Sequence, residues 1–186
     1  LQKYLKKKII VKQKNITKST LKKITEMNLV STAWLNNNLK NVKIFDASWH
    51  MPNSKRNPKK EYLDKHIPGA IFFDIEEHSD KDSPFPHMLS NSDYWTRILC
   101  SFGIKNTDHI VVYDFSDVYS SCRLWFSLKY FGHKKVSVLD GGLIKWLKEE
   151  KPTTKKKEKM KQIDSYQTNE NTTLVKNKKQ IDENII

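Results

Sequence analysis

Apolar positions along this chain change period several times between residues 29 and 152, and each change marks an element. The first run, "NLVSTAWLNNNL", sets Trp34, Leu35 and Leu39 at helical spacing behind Ser31, a side chain suited to an N-cap. Residues 42–48, "VKIFDAS", alternate and are rich in branched and aromatic side chains, which predicts a strand. Residues 49–60 hold two prolines and a basic run and read as a surface excursion. "EYLDKHIPGAIFFDI" then predicts a short helical turn, a Pro-Gly corner and a strand at residues 71–73. A polar, proline-bearing loop fills residues 76–91. In "SDYWTRILCSFG", Tyr94, Trp95, Ile98, Leu99 and Phe102 share one helical face, with a serine cap before it and Gly103 as the stop. Ile110 to Tyr113 reads as a β-branched strand, and a helix from about Ser121 turns Leu124, Trp125, Leu128 and Phe131 inward. "KVSVLDGG" is a further strand closed by glycines, and "LIKWLKEE" a last helix with Leu143, Trp146 and Leu147 on its buried side. Strands alternating with helices predict an α/β domain, a parallel sheet covered on both faces. No internal repeat is visible.

Composition divides the 186 residues into three parts. Hydrophobic content of 37% with 11% aromatics describes a well-stocked core diluted by polar ends. Of the 34 Lys and Arg, nine lie before Met27 and ten after Leu147, so the net charge of +13 belongs mostly to the ends. The expected organisation is a Lys-rich extension over 1–28, a domain over 29–152, and a linker with the start of something further over 153–186. The chain opens on Leu, so an upstream piece is expected. Residues 1–25 carry no acidic side chain, the composition of an organelle-targeting presequence without its usual arginines. A basic leader with no address fits equally well, which leaves mitochondrial matrix and cytoplasm both open. In the tail, Leu174, Val175, Ile181, Ile185 and Ile186 form a weak pattern for a short strand and one helical turn, too little to bury a core alone.

Several function classes drop out. No apolar run approaches the roughly 18 residues of a membrane span. Cys100 and Cys122 make neither a disulfide framework nor a metal site, and a reducing compartment suits them. Three arginines among many lysines, with few aromatics interleaved, argue against specific nucleic-acid recognition. No metal-ligand spacing occurs and "DGG" is too short for a phosphate loop, so no cofactor is expected. Trp34, Trp49, Trp95, Trp125 and Trp146 read as core and interface aromatics.

The stretches "LVSTAWL", "IFDASWHMP", "HIPGAIFFDIEEHSDKDSPFPHML", "HIVVYD", "RLWFSLKYFGH" and "VSVLDGGLIKWL" together resemble the first domain of two-domain rhodaneses and mercaptopyruvate sulfurtransferases, from about Leu29 to Pro152. That resemblance implies a rhodanese-like domain. It implies transfer of a sulfane sulfur from thiosulfate or 3-mercaptopyruvate to cyanide or a thiol, through a cysteine persulfide. In that family the thiolate stands at a helix N-terminus in the second domain, where backbone N–H groups favour the anion. The expected partners are therefore a second rhodanese domain of the same protein and small-molecule donors and acceptors.

Here Asp114 stands at the strand end where an active domain has its cysteine, and the loop to Arg123 is long. A carboxylate cannot carry a sulfane sulfur. Asp114, or a loop carbonyl, is expected to satisfy the N–H groups that an anion would otherwise meet. Cys122, near a helix start beside Arg123, is the weak alternative nucleophile, against a reading as a small buried hydrophobe; Cys100 reads as core. By position the resemblance puts an acid and a histidine facing the second domain at Glu76 and His87, polarising the site in the manner of a hydrolase triad. Plain interface-loop residues are the alternative. His66, Asp74, Arg123 and Asp46 are expected to tie turns and helix ends together. The competing functions are a stand-alone inactive rhodanese-like binding module and, resting on the lysines alone, a nucleic-acid-associated protein.

Overall fold

The computed structural model describes residues 28–184; the expectations for the basic leader and for Ile185 and Ile186 fall outside the described residues. Five strands, β1 (Leu29–Val30), β2 (Lys43–Asp46), β3 (Ala70–Phe72), β4 (Ile110–Tyr113) and β5 (Val136–Leu139), form one sheet in the order β1-β5-β4-β2-β3. Every pairing is parallel; Asp46 stands opposite both Phe72 and Tyr113, and Val30 opposite Leu139. All four residues of β4 are buried, as a central strand covered on both faces requires.

Alternation along the strands sorts the core into two layers. Phe45, Ile110, Val112 and Val136 point to one face and pack with Trp95, Ile98 and Leu99 of α3 (Ser92–Ser101) and Leu124 and Leu128 of α4 (Ser121–Tyr130). Ile44, Val111, Tyr113 and Leu139 point to the other. There they meet Leu35 of α1 (Thr32–Asn38), Tyr62 of α2 (Pro58–Asp64) and Leu143 and Trp146 of α5 (Gly142–Lys148).

Local chemistry explains most boundaries. Ser31 Oγ accepts from the Trp34 N–H at 3.1 Å, as its position predicts. The cap of α3 is Asn91 rather than a serine, because its Oδ1 reaches the Tyr94 N–H at 2.9 Å and leaves Ser92 inside the helix. Helix α2 starts within the expected surface excursion: Asn57 caps it and Pro58 takes its first position, where a missing N–H costs nothing. β1 has no strand signal of its own and exists through pairing with β5. β2 is shorter than the alternation predicts, and β3 begins and ends one residue early.

The expected charged linker is instead a strap bound to the domain. His66 and Thr154 exchange both backbone hydrogen bonds, at 3.0 and 2.9 Å. The buried His66 ring places Nδ1 2.6 Å from the Tyr62 carbonyl and Nε2 3.1 Å from that of Lys156. Farther on, Tyr166 enters the core, its hydroxyl 2.6 Å from His133 Nδ1, and Asn169 and Asn171 donate to the Phe131 and Tyr130 carbonyls. The backbone passes so close that an ideal Cβ at Gly103 would lie 2.3 Å from the Lys161 carbonyl oxygen. Beyond the strap, Leu174 and Val175 form no strand, and an Asn177 capping box opens α6 (Lys178–Asp182). Leu174, Val175 and Ile181 are exposed.

The strap gives the fold an acid-sensitive anchor. His133 Nε2 faces the Asp108 carbonyl at 2.9 Å, so the proton sits there and Nδ1 accepts from Tyr166. Burial pulls the His133 pKa below the ordinary histidine range. Stability from a neutral buried histidine is full above the unfolded-state value near 6.5 and is lost as pH falls through that value toward the folded one. The protection of the Asn169 and Asn171 amides, with the intrinsic pH dependence of exchange divided out, is therefore expected to fall between pH 7 and pH 5. Tyr166→Phe, which leaves Nδ1 without its donor, is expected to cost about 1–3 kcal/mol at pH 7.5 and to flatten that pH dependence. Exchange rates that follow only intrinsic pH chemistry in both proteins would refute the anchor.

Candidate active-site face

In a parallel sheet the open crevice lies beyond the C-terminal strand ends. Here three connections meet there: residues 46–50 after β2, 73–77 after β3 and 114–121 after β4. Asp46 is buried, and its Oδ1 accepts from the Ser48 N–H at 3.0 Å and from the Ser48 hydroxyl. Ser48 Oγ in turn accepts from the Phe115 N–H at 2.8 Å, linking the first connection to the third. Asp74 Oδ1 accepts from the N–H groups of Glu76 and Glu77 at 3.0 and 3.1 Å, which fixes the turn carrying Glu76.

The connection after β4 is closed upon itself. Asp114 Oδ2 accepts from the Ser121 N–H at 2.6 Å, the amide that opens α4. The Asp114 carbonyl accepts from Leu143 N–H at 2.9 Å, at the start of α5. Gly142 permits that approach: its φ is +53°, and an ideal Cβ there would lie 2.5 Å from the same oxygen. The short "DGG" thus serves close packing. Ser120 N–H donates to Ser116 Oγ, Cys122 N–H to the Tyr119 carbonyl and Arg123 N–H to that of Ser120. With Phe115 on Ser48, five amides of this loop are committed inside the protein. Ser120 Oγ also donates to the Ala47 carbonyl at 2.8 Å and accepts from Trp49 N–H at 3.1 Å. The amides that open α4 are thus already spent inside the protein.

Opposite this loop the structure brings Glu76 and His87 together. Glu76 Oε1 lies 3.8 Å from His87 Nε2 and accepts from the Trp49 indole N–H at 2.8 Å. The Trp49 and His87 rings meet nearly edge to face, 4.9 Å between centroids. Arg123 donates from Nη2 to the His87 carbonyl, and burial pulls its pKa down. His87 and Tyr119 hold left-handed backbone, φ +58° and +51°, a strained conformation for non-glycine residues that clusters at sites. Trp49, Ile75, His87, Val118, Tyr119, Ser120 and Arg123 line a cavity of about 470 Å3. Tyr119 is 76% exposed and Phe85, on the loop before His87, 67%.

A second cavity of about 530 Å3 lies on the other side of Trp49 and Glu76, toward α2. Its wall is a network with no obvious sequence signal. Arg56 grips Glu61 through Nε and Nη2 at 2.7 and 2.8 Å and reaches the Phe115 carbonyl at 3.0 Å, while His50 Nε2 lies 2.9 Å from Glu61. Burial pushes the Glu61 carboxyl up, but the hydrogen bonds from Arg56 and His50 outweigh it and hold it below the ordinary range.

The two thiols separate. Cys100 is buried in the core under α3. Cys122 is exposed, which corrects its reading as a small buried hydrophobe: the first turn of α4 turns Leu124 inward and Cys122 out, away from the cavity lining. Among the described residues no group of three or more His, Cys, Asp or Glu is placed to hold a metal ion, and no helix is long and apolar enough to cross a membrane.

Known proteins resemble this chain in sequence and fold. The family description "Rhodanese-like domain" matches residues 31–149. A mitochondrial thiosulfate/3-mercaptopyruvate sulfurtransferase of Arabidopsis thaliana is 45% identical over 130 residues, covering 69% of this chain and 34% of that protein. The thiosulfate sulfurtransferase of Bos taurus is 40% identical over 165 residues, 84% of this chain and 55% of the relative. The crystal structure of the 3-mercaptopyruvate sulfurtransferase SseA from Escherichia coli superposes with a TM-score of 0.66 at 34% identity, covering 77% of this chain and 55% of that one. The chain therefore spans between about a third and just over half of these relatives. On the strength of the fold, the matched residues and these relatives, this chain belongs to the rhodanese-like domain family.

Proposed function

We propose that this chain is the first, non-catalytic half of a two-domain sulfurtransferase that takes a sulfane sulfur from thiosulfate or 3-mercaptopyruvate. The observation that carries this reading is the Asp114–Ser121 hydrogen bond. It puts a carboxylate at the helix start where a persulfide-forming thiolate would need free amides and no neighbouring negative charge. The sulfur carrier then comes from a second domain, and Glu76 and His87 form the wall facing it. The tail fits such a continuation. Leu174–Val175, the Asn177 cap and α6 follow one another in the order of Leu29–Val30, the Ser31 cap and α1. No repeat is legible in the sequence because little beyond the Leu-Val pair is kept. The sulfurtransferase named as mitochondrial among the relatives favours the matrix over the cytoplasm.

In the complete site the cysteine thiolate attacks the donor's sulfane sulfur. A persulfide S–S bond forms as the donor S–S bond of thiosulfate, or the C–S bond of 3-mercaptopyruvate, breaks. Sulfite leaves in the first case and the enolate of pyruvate in the second, and the enolate takes up a proton. Cyanide or an acceptor thiolate then attacks the terminal sulfur and the cysteine leaves as thiolate. His87, paired with Glu76, stands where a proton for the enolate can be held, while sulfite needs none.

Two measurements test this. The 186-residue chain is expected to form thiocyanate from thiosulfate and cyanide only at background, and the full-length protein to turn over. In the full-length protein His87→Gln is expected to lower kcat with 3-mercaptopyruvate by about 10²-fold or more and to affect thiosulfate far less. A persulfide on Cys100 or Cys122 of the short chain, with unaided turnover, would sink the reading. Equal losses for the two donors would sink the role of His87.

A further inference from the structure

The turn that follows β3 meets α3 and α4 around a cavity of about 10 Å3, whose polar lining includes Ser79, Trp95 and Ser127. Trp95 is 2% exposed. Among the described residues its indole Nε1–H is the one buried side-chain group without a hydrogen-bond partner in the protein. A donor left unmatched at such depth is costly, and native interiors almost always supply a protein group or an ordered water to it.

The two serines have the complementary need. Ser79 Oγ donates to the Ile75 carbonyl at 2.6 Å, and Ser127 Oγ donates to the Arg123 carbonyl at 3.0 Å. Each hydroxyl has spent its hydrogen and keeps lone pairs that can only accept. The cavity therefore presents one donor and two acceptors. A water molecule accepts from the first and has two hydrogens for the others, and this volume is about what one water needs. A cation does not fit the same lining, because the indole N–H has no lone pair to give and Arg123 forms part of the wall.

We infer that this cavity is a binding site for one ordered water, which accepts from Trp95 Nε1–H and donates to Ser79 Oγ and Ser127 Oγ. The three groups come from three segments: Ser79 from the turn that carries Glu76, Trp95 from α3 and Ser127 from α4. Met88 and Leu89, which follow His87, complete the wall. The water is a pin that fastens the Glu76 turn to the two helices behind it. The site does not rest on the proposed sulfur transfer.

A high-resolution crystal structure of the 186-residue chain is expected to show one water within about 3.2 Å of Trp95 Nε1, Ser79 Oγ and Ser127 Oγ. No density there, a protein carbonyl on Nε1, or a water that misses either serine would overturn the assignment. Hydrogen exchange in solution tests the pin. The His78 and Ser79 amides donate to the Asp74 and Glu76 carbonyls within the turn. In Ser127→Ala their protection is expected to fall about fivefold, the weight of one ordinary hydrogen bond, although Ser127 lies on another element. Ser101→Ala removes a helical serine that also bonds back to a carbonyl, Ile98, but lies outside the cavity, and is expected to leave those amides unchanged. Unchanged protection in Ser127→Ala, or equal losses in the two variants, would show that no water couples α4 to the turn.

Discussion

Trp146→Ala is expected to lower the unfolding free energy by about 3–5 kcal/mol, the usual cost of emptying a buried aromatic site. Trp146 is fully buried and closes the face formed by Val30, Leu35, Leu139 and Leu143. It also holds the exit of the strap, since its indole N–H donates to the Pro152 carbonyl at 2.9 Å. Domains of this size have about 5–15 kcal/mol in total, so the variant should be partly unfolded at 37 °C. Trp146→Phe, which keeps most of the volume and loses only the donor, is expected to cost about 1–3 kcal/mol. Urea unfolding followed by far-UV circular dichroism measures both. A loss below about 1 kcal/mol for the alanine variant would mean that this face does not hold the fold together.

Asp46→Asn should change the pH profile of stability rather than simply lower it. Burial pushes the Asp46 carboxyl up to about 6 despite its hydrogen bonds with Ser48 and Tyr113. Below about 3.9 the carboxyl is protonated folded or unfolded and costs nothing. As pH rises from there to about 6 the unfolded chain ionises first. The native protein thereby loses about 3 kcal/mol at 1.36 kcal/mol per pKa unit, and above 6 the loss is complete. An asparagine cannot ionise, and its Oδ1 keeps both Ser48 donors, but its amide meets the Tyr113 hydroxyl, which has given up its acceptor. That mismatch costs on the order of 1 kcal/mol. The variant is expected to be more stable than the native protein by about 1–2 kcal/mol at pH 7.5 and less stable at pH 4, with the curves crossing between. Parallel urea midpoints across pH 4–8 would show that Asp46 does not titrate as its burial requires.

These sites differ in how far local sequence announced them. Asp114 was legible because strand, strand end and helix start follow one another in "IVVYDFSDVYSSCRLW", and its amide partner is only seven residues away. The cap at Ser31 and the stop at Gly103 were legible for the same reason: both act within one turn of chain. Glu76 and His87 could be nominated from family likeness, but not brought together from residue types. Their meeting depends on Trp49, 27 positions before Glu76, and on Arg123, 36 positions after His87. The Arg56–Glu61–His50 network gave no signal, because an exposed-looking run of basic residues reads the same with or without a half-buried carboxylate behind it. The strap misled for a related reason. Between Lys155 and Asn171 its composition is that of a solvated linker, and Tyr166 with the half-buried Ile163 carries its packing on the core.

The alternation of β2 to β5 with helices and the two-faced sheet follow from the sequence alone. Period, capping and strand-end identity act over a few residues and leave a local trace. The tertiary structure alone decided that residues 153–171 wrap the domain, that Cys122 faces outward, and that Trp49 joins Glu76 to His87 while Arg123 holds the His87 carbonyl. Such contacts are set when distant segments close-pack on a common sheet. The free energy that fixes them is shared among many neighbours and written in no single stretch of chain.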